Sequence, residues 1–122
     1  MSERVLLGRH ILLVEDEYLL ACAMQVGLED AGAAVVGPAA YVADALALLE
    51  SEPVDGAVLD VSLNDETVFP VAEALTVCGI PFMFATGYSA ADLPLEWRHI
   101  PRCEKPVDAA TVARALLGDD AP

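Results

Sequence analysis

The chain has 122 residues, 56% of them hydrophobic, and its 20 acidic residues against 6 lysines and arginines give a formal charge of −14. This length suits one domain, and this apolar content excludes an intrinsically disordered chain. The negative charge repels phosphate backbones and anionic membranes, and no basic stripe offsets it. We therefore expect no binding to nucleic acid or to a membrane.

Short apolar segments alternate with amphipathic segments along the chain, which predicts a (βα)5 order. We predict strands at 10–14, 33–36, 56–60, 80–85 and 101–104. Helices are predicted at 17–31, at 41–50, from near Pro70 with Cys78 facing inward, briefly at 89–92, and after an Asp108 cap. Gly37-Pro38 should end the second strand, and 62–66 should be a polar loop. Uncharged runs bounded by turn residues are typical of buried parallel strands, so the prediction is a doubly wound α/β sheet.

The termini and the cysteines set the domain limits and the compartment. We predict one domain at 9–118, with short terminal extensions at 1–8 and 119–122 and no signal peptide. Cys22, Cys78 and Cys103 form no CxxC pair, so we expect reduced thiols packed in the core of a cytoplasmic protein. The long uncharged stretch 74–91 is interrupted by glycine and proline, which excludes a membrane-spanning helix.

Polar residues stand where four of the predicted strands end. Glu15 and Asp16 follow the first strand, Asp60 ends the third, Thr86 follows the fourth and Lys105 follows the fifth. Because the carboxyl ends of parallel strands share one edge, we expect these side chains to converge. Crowded carboxylates favour a hard divalent cation such as Mg²⁺. A carboxylate so placed can attack phosphorus and form an aspartyl phosphate, with the hydroxyl and the ammonium facing the phosphoryl oxygens.

These segments resemble the receiver domain of response regulators, over nearly the whole chain. The matching runs are 11–17, Val58-Leu59-Asp60, Ala85-Thr86-Gly87 and Lys105-Pro106. The resemblance implies a flavodoxin-like receiver domain that accepts a phosphoryl group on Asp60 from a histidine kinase or a histidine phosphotransfer protein. It implies two-component or phosphorelay signalling with output through an unidentified downstream protein. It implies no enzyme activity beyond Mg²⁺-dependent self-phosphorylation and autodephosphorylation.

The resemblance also assigns the metal ligands. It implies that Mg²⁺ is bound by Asp16, by the phosphoacceptor Asp60 and by the backbone carbonyl of Ser62. Glu15 is expected to act on the metal through a water molecule. A haloacid-dehalogenase-type phosphatase would need a second acid two residues after its nucleophile, where this chain has Ser62, so that class is not favoured.

Further positions follow from the same resemblance. Thr86 is the expected switch hydroxyl and Lys105 the expected phosphate contact, with a cis peptide bond before Pro106. Ser62, Gly87 and Tyr88 occupy positions expected to tune dephosphorylation. Tyr18 and Leu19 lie where receivers dock on kinase helices, with core packing as the alternative interpretation. Trp97 is expected to be a packed loop aromatic, with a place in a partner surface as the alternative interpretation.

The run from Ile80 to Tyr88 resembles the signature of the FAT GUY subgroup of receivers, whose members commonly occur as stand-alone receivers. Most receivers carry an aromatic residue three positions before the lysine, and this chain has Arg102 there. This departure leaves two functions open. One is a phosphorylated switch, and the other is a phosphorylation-independent protein-interaction module on a receiver fold.

Overall fold

The computed structural model describes residues 4–63, 66–87 and 93–118. Four α-helices lie within these ranges: α1 (Tyr18–Asp30), α2 (Val42–Ser51), α3 (Phe69–Cys78) and α4 (Ala109–Leu117). A 3-10 helix covers Leu95–Trp97. The strands are β1 (His10–Val14), β2 (Ala34–Ala39), β3 (Gly56–Asp60), β4 (Ser62–Leu63), β5 (Glu66–Thr67), β6 (Phe82–Thr86) and β7 (Arg102–Glu104).

Five of these strands form one parallel sheet in the order β2-β1-β3-β6-β7. The predicted doubly wound α/β fold is confirmed. Side chains alternate along each strand, so β1 directs Leu12 towards one core and Leu13 towards the other. The first core also contains residues of α2 and α3, and the second contains residues of α1 and α4. Both faces of the sheet are therefore covered by helices, which leaves the strand ends as the place for a site.

Capping side chains define the starts of two helices, and only the Asp108 cap was predicted from the sequence. The carboxylate of Glu17 accepts a hydrogen bond from the Leu20 N–H and caps α1 immediately after the acidic pair. The carboxylate of Asp108 accepts from the Thr111 N–H at 2.8 Å and caps α4. Each cap satisfies a backbone donor that has no partner within its helix.

Most predicted ends of helices and strands lie within two residues of the observed ones, and two predicted segments differ more. Strand β2 continues past Gly37-Pro38 to Ala39, because a shift in its pairing with β1 between Leu12 and Val14 takes up the irregular backbone. The predicted loop after Asp60 contains the antiparallel pair β4–β5. The side chain of Leu63 in this pair is fully buried. The short helix predicted at 89–92 lies outside the described residues.

The cysteines are all free thiols, as expected, although their packing differs from the prediction. Cys22 and Cys103 are half-buried, but Cys78 is exposed at the end of α3. Val71 and Leu75 occupy the inward side of that helix, so its last residue projects beyond the core. No helix within the described ranges is both long enough and apolar enough to cross a membrane.

The segment before β1 packs more closely than its place in the sequence suggests. Leu6 is fully buried in the core beside α1, and its N–H donates to the carbonyl of Ala31 at 3.0 Å. Gly32 has a φ of +98°, and a Cβ there would lie 2.7 Å from the Cα of Leu7. Only glycine therefore allows this segment to approach the end of α1.

Candidate functional site

The predicted acidic residues meet at the carboxyl edge of the sheet. Glu15 follows β1 and is 2% exposed, and Asp60 ends β3 and is 5% exposed. Oxygen atoms of Glu15, Asp16 and Asp60 all lie within 4.8 Å of one another. Because β1 and β3 are paired neighbours in the sheet, two of these carboxylates are brought together by strand pairing alone.

Lys105 completes the cluster from the segment after β7. Its Nζ lies 3.2 Å from Oε1 of Glu15 and 3.3 Å from Oδ2 of Asp60. The same Nζ donates a hydrogen bond to Oε2 of Glu15 at 3.2 Å. The backbone N–H of Lys105 donates to the carbonyl of Thr86 at 2.7 Å, which holds the lysine beside the end of β6. The peptide bond between Lys105 and Pro106 is cis, as the resemblance implied.

Glu15 has a direct electrostatic role that the sequence did not reveal. Its Oε2 accepts a hydrogen bond from the Glu17 N–H at 3.0 Å, so the start of α1 orients the carboxylate. The resemblance implied that Glu15 acts on the metal through water, and the structure adds that its carboxylate pairs with the Lys105 ammonium. Its Oε1 is buried and accepts no hydrogen bond from the described residues, although Lys105 stands at ion-pairing distance. A buried carboxylate oxygen in this condition fits a site that accepts a cation.

The crowding of carboxylates changes proton binding at the site. Burial first, and then the neighbouring Glu15 carboxylate, raise the pKa of Asp60 from 3.8 to about 7, against the opposing effect of Lys105. Burial by itself would lower the pKa of Lys105, but the Asp60 and Glu15 carboxylates outweigh it and the pKa is raised. One ammonium therefore does not neutralise three carboxylates, and a divalent cation with oxygen ligands would relieve the remaining repulsion.

Thr86 and Gly87 border this cluster at the end of β6. Thr86 is 9% exposed, and a Cβ at position 87 would lie 3.9 Å from Cε of Lys105. The backbone of Ser62 belongs to β4, two residues after Asp60. Tyr88, the third predicted tuning residue, lies outside the described residues. The structure thus brings Thr86 and Gly87 beside Lys105 and places Ser62 two residues after Asp60 in the chain.

Arg102 stands on the edge strand β7, paired with Phe84 of β6. It is exposed, and its guanidinium donates to the carbonyl of Arg98 at 3.3 Å. The side chain therefore folds over the turn after the 3-10 helix.

Aromatic packing beside the site was only partly predicted. Trp97 is packed as expected, at 8% exposed, but it stacks on Phe69, a partner that the sequence did not indicate. Phe69 lies between β3 and β6 and Trp97 lies between β6 and β7. The spacing of residues along the chain does not indicate that side chains from these two connections touch. The only signal was composition, since Phe69, Phe82, Phe84 and Trp97 include every phenylalanine and the one tryptophan of the chain.

Tyr18 and Leu19 are exposed in the first turn of α1, immediately after Asp16. Their exposed fractions are 76% and 71%. Core packing, the alternative interpretation for this pair, is therefore wrong. Two large apolar side chains are thus exposed next to the buried acidic cluster.

Fold and site together define a doubly wound α/β domain whose strand ends carry an acidic cluster, a lysine and a threonine. No family model matches the chain, and no curated protein matches it. Among solved structures it is similar to SdrG from Sphingomonas melonis Fr1, with 42% identity over 97% of this chain and 98% of that chain and a TM-score of 0.79. The BeF3-activated conformation of SdrG from Pseudomonas melonis Fr1 matches with 40% identity over 97% and 98% of the two chains and a TM-score of 0.74.

A more distant match carries the family description itself. It is a CheY-like response regulator receiver domain protein from Methanospirillum hungatei JF-1, with 25% identity over 89% of this chain and 87% of that chain and a TM-score of 0.71. SdrG is a stand-alone receiver-domain protein. The chain therefore belongs to the response regulator receiver family, as its motifs predicted. Members of this family act through protein partners in signalling, and the acidic cluster fits a divalent metal site.

Proposed function

We propose that this receiver accepts a phosphoryl group on Asp60 and thereby switches its affinity for a protein partner. The observation that carries this proposal is the geometry around Asp60. Its carboxylate is almost completely buried at the end of β3, and the Lys105 ammonium lies 3.3 Å from one of its oxygens. SdrG, a relative at 40% identity, has a BeF3-activated conformation, which supports a phosphoryl-dependent switch in this chain.

The proposed transfer is a displacement at phosphorus. An Asp60 carboxylate oxygen forms the new O–P bond, and the N–P bond of a phosphohistidine donor breaks, so that the electron pair returns to the imidazole nitrogen. Asp60 must be ionised to act as the nucleophile, which its raised pKa opposes at neutral pH. Lys105 partly offsets the rise in the pKa of Asp60. Its ammonium lies close enough to Asp60 to contact the phosphoryl oxygens.

Mg²⁺ is the divalent cation that we propose for the acidic cluster. Asp16 and Asp60 would hold it together with the backbone carbonyl of Ser62, and Glu15 would contribute through water. When bound, such an ion neutralises charge on the phosphoryl oxygens and favours the ionised form of Asp60. Glu15 additionally keeps Lys105 in place, because both of its carboxylate oxygens lie 3.2 Å from the ammonium nitrogen.

A histidine kinase or a histidine phosphotransfer protein is the proposed donor. Tyr18 and Leu19 would form part of its docking surface, because both are exposed in the turn that follows Asp16. A donor seated there would bring its phosphohistidine to the open edge of the acidic cluster. The apolar side chains would contribute affinity by leaving water on contact.

We further propose that this protein is not an enzyme with a separate substrate. Its only chemistry would be the Mg²⁺-dependent phosphorylation of its own Asp60 and the hydrolysis of that phosphate. A phosphoryl-dependent difference of about 1–3 kcal/mol in partner affinity is enough for such a switch. The three free thiols support a cytoplasmic location.

Intact mass after incubation with acetyl phosphate tests the proposal. The wild type should gain one phosphoryl group with Mg²⁺ and none with EDTA, and Asp60→Ala should gain none. Asp55→Asn is the matched control, because Asp55 lies just before the opposite end of β3, where its carboxylate accepts a hydrogen bond from the His10 N–H at 2.7 Å. An adduct that persists in Asp60→Ala, or that forms equally in EDTA, would contradict the proposal.

The phosphorylation-independent interaction module is the second candidate function, favoured by Arg102 in place of the usual aromatic. It predicts identical partner binding by the wild type and by Asp60→Ala, with and without beryllofluoride. The buried acidic cluster supports the switch instead. One lysine does not neutralise its three carboxylates, and buried charge without a full set of partners lowers stability, so its presence favours a functional role.

A further inference from the structure

Two segments that lead away from the site meet in a pair of stacked aromatic rings. The rings of Phe69 and Trp97 are nearly parallel, at 4°, with centroids 5.9 Å apart. Phe69 begins α3, the first helix after Asp60, and Trp97 ends the 3-10 helix that follows Thr86 in the chain. The stack therefore joins the segment after the proposed phosphoacceptor to the segment after the proposed switch hydroxyl.

Strand β6 connects Thr86 to this stack through Phe84. Alternate residues of a strand share a face, so Thr86 and Phe84 lie on the same face of β6. Phe84 is fully buried, and its ring meets those of Phe69 and Trp97 edge-on, with centroids 6.1 and 6.3 Å apart. Because protein interiors are close-packed, a displacement at the end of β6 would reach these rings through Phe84.

The segment after Asp60 reaches the same stack from the other side. The carbonyl of Val61, the next residue after Asp60, accepts a hydrogen bond from the Val68 N–H at 3.1 Å. Val68 precedes Phe69 directly, is fully buried, and belongs to the same core as Phe84 and Trp97. This hydrogen bond and the buried Val68 link the backbone after Asp60 to Phe69 over a short path.

The arginine at the usual aromatic position is tied to the same turn. Arg102 donates to the carbonyl of Arg98, the residue after Trp97, at 3.3 Å. Arg98 in turn donates from Nε to the carbonyl of Leu93 at 2.9 Å. These bonds bracket the 3-10 helix, whose first residue, Leu95, is 78% exposed.

We propose that the Phe69–Trp97 stack couples the site to the surface in this receiver, in place of an aromatic residue at position 102. When Thr86 closes on a phosphoryl group at Asp60, the two segments shift relative to each other. Because the stack contains one ring from each segment, that shift moves Trp97 relative to Phe69. The 3-10 helix that ends in Trp97 then changes position, and with it the exposed side chain of Leu95. This inference rests on the proposed phosphorylation of Asp60.

Beryllofluoride with Mg²⁺ is the probe for the test, and occupancy and response are measured separately. The ¹⁹F NMR signal of bound beryllofluoride reports occupancy of the site. Backbone amide shifts of Leu95 and Arg98 report the response, together with the emission of Trp97, the single tryptophan of the chain. In the wild type we expect both amide shifts and the emission to change as the site fills.

Phe69→Leu and Phe82→Leu form a matched pair of variants. Phe82 also touches Trp97, with centroids 6.1 Å apart, but it comes before Phe84 in β6 and belongs to neither connecting segment. We expect both variants to bind beryllofluoride, Phe82→Leu to keep the response at Leu95 and Arg98, and Phe69→Leu to lose it. A full response in Phe69→Leu, or equal losses in both variants, would overturn the proposal.

A second pair keeps the test decisive if Phe69→Leu does not fold. Trp97→Phe preserves a stacked ring and should keep the amide response, whereas Trp97→Leu should lose it, and equal responses from these two would overturn the proposal. If the wild type binds no beryllofluoride, the proposed function fails and the coupling fails with it. If beryllofluoride binds and Leu95 does not respond, only the coupling fails.

Discussion

Lys105 and Asp60 form an ion pair of 3.3 Å between the connection after β7 and the end of β3. The Lys105 side chain is 12% exposed and that of Asp60 7%, so water screens the pair only weakly. The same ammonium also pairs with Glu15. This lysine is therefore shared by two carboxylates of the acidic cluster, and a phosphoryl group on Asp60 would enter directly beside it.

Replacing Lys105 by methionine should weaken the binding of beryllofluoride. A hydrogen bond to a charged group contributes about 1.5–3 kcal/mol, and 1.4 kcal/mol corresponds to tenfold, so we expect a loss of about ten- to a hundredfold. Titration followed by ¹⁹F NMR measures it. Arg114→Met removes the same charge from an exposed position on α4 and should bind like the wild type, so equal losses would show a general charge effect.

Stability without metal should depend on the protonation of Asp60. Its pKa is about 7 in the folded chain and about 3.9 when unfolded. Between these values the folded chain holds a proton that the unfolded chain has released, so the free energy of unfolding should fall as the pH rises from about 4 to about 7. Thermal unfolding in EDTA measures this, and Asp60→Asn should remove that part of the slope. Identical pH profiles for the two proteins would contradict the assignment.

Binding of Mg²⁺ should compete with that proton. The carboxylate must be ionised to bind the metal, so the Mg²⁺ affinity should rise as the pH increases through about 7 and then level off. Asp16→Asn should lower the affinity by about tenfold or more. Asp44→Asn, at an exposed position on α2, is the control for net charge. Calorimetry measures both effects, and an unchanged affinity in Asp16→Asn would exclude that residue as a ligand.

Leu19→Asp should separate donor docking from the chemistry at Asp60. Leu19 is exposed and lies outside the cluster, so phosphorylation by acetyl phosphate should be unchanged. Transfer from a cognate phosphohistidine donor should slow by about tenfold, the effect of losing one contact of about 1.4 kcal/mol. Val77→Asp makes the same change at an exposed site on α3 and should have no effect. Equal slowing in both variants would place the docking surface elsewhere.

Leu6→Ala should destabilise the fold although Leu6 precedes the first strand. Its side chain is fully buried, and truncating a buried leucine costs about 2–5 kcal/mol. Leu7→Ala, at a position 63% exposed, should change stability by no more than about 0.5 kcal/mol. Denaturant unfolding of the two variants measures the difference, and similar values would show that the segment before β1 does not contribute to the core.

The alternation of apolar runs and turn residues by itself determined the sheet, because burial on both faces demands uncharged strands. Strands β1 and β3 were predicted to the residue. The polar residues at their ends, Glu15, Asp16 and Asp60, were identifiable because parallel strands place such ends together. The end of β2 and the pair β4–β5 could not be predicted from the sequence. They depend on the register of strand pairing and on the burial of Leu63.

Only the tertiary structure decided how these residues act on one another. The sequence places Glu15 and Lys105 at separate strand ends, but it does not specify that they pair or that Asp60, mainly through its burial, is the carboxyl whose pKa is raised. Nor does it show that Phe69 stacks on Trp97. The physical reason is the range of each effect: periodicity records which face of an element is buried, whereas ion pairs and ring contacts depend on distances between elements remote in the chain.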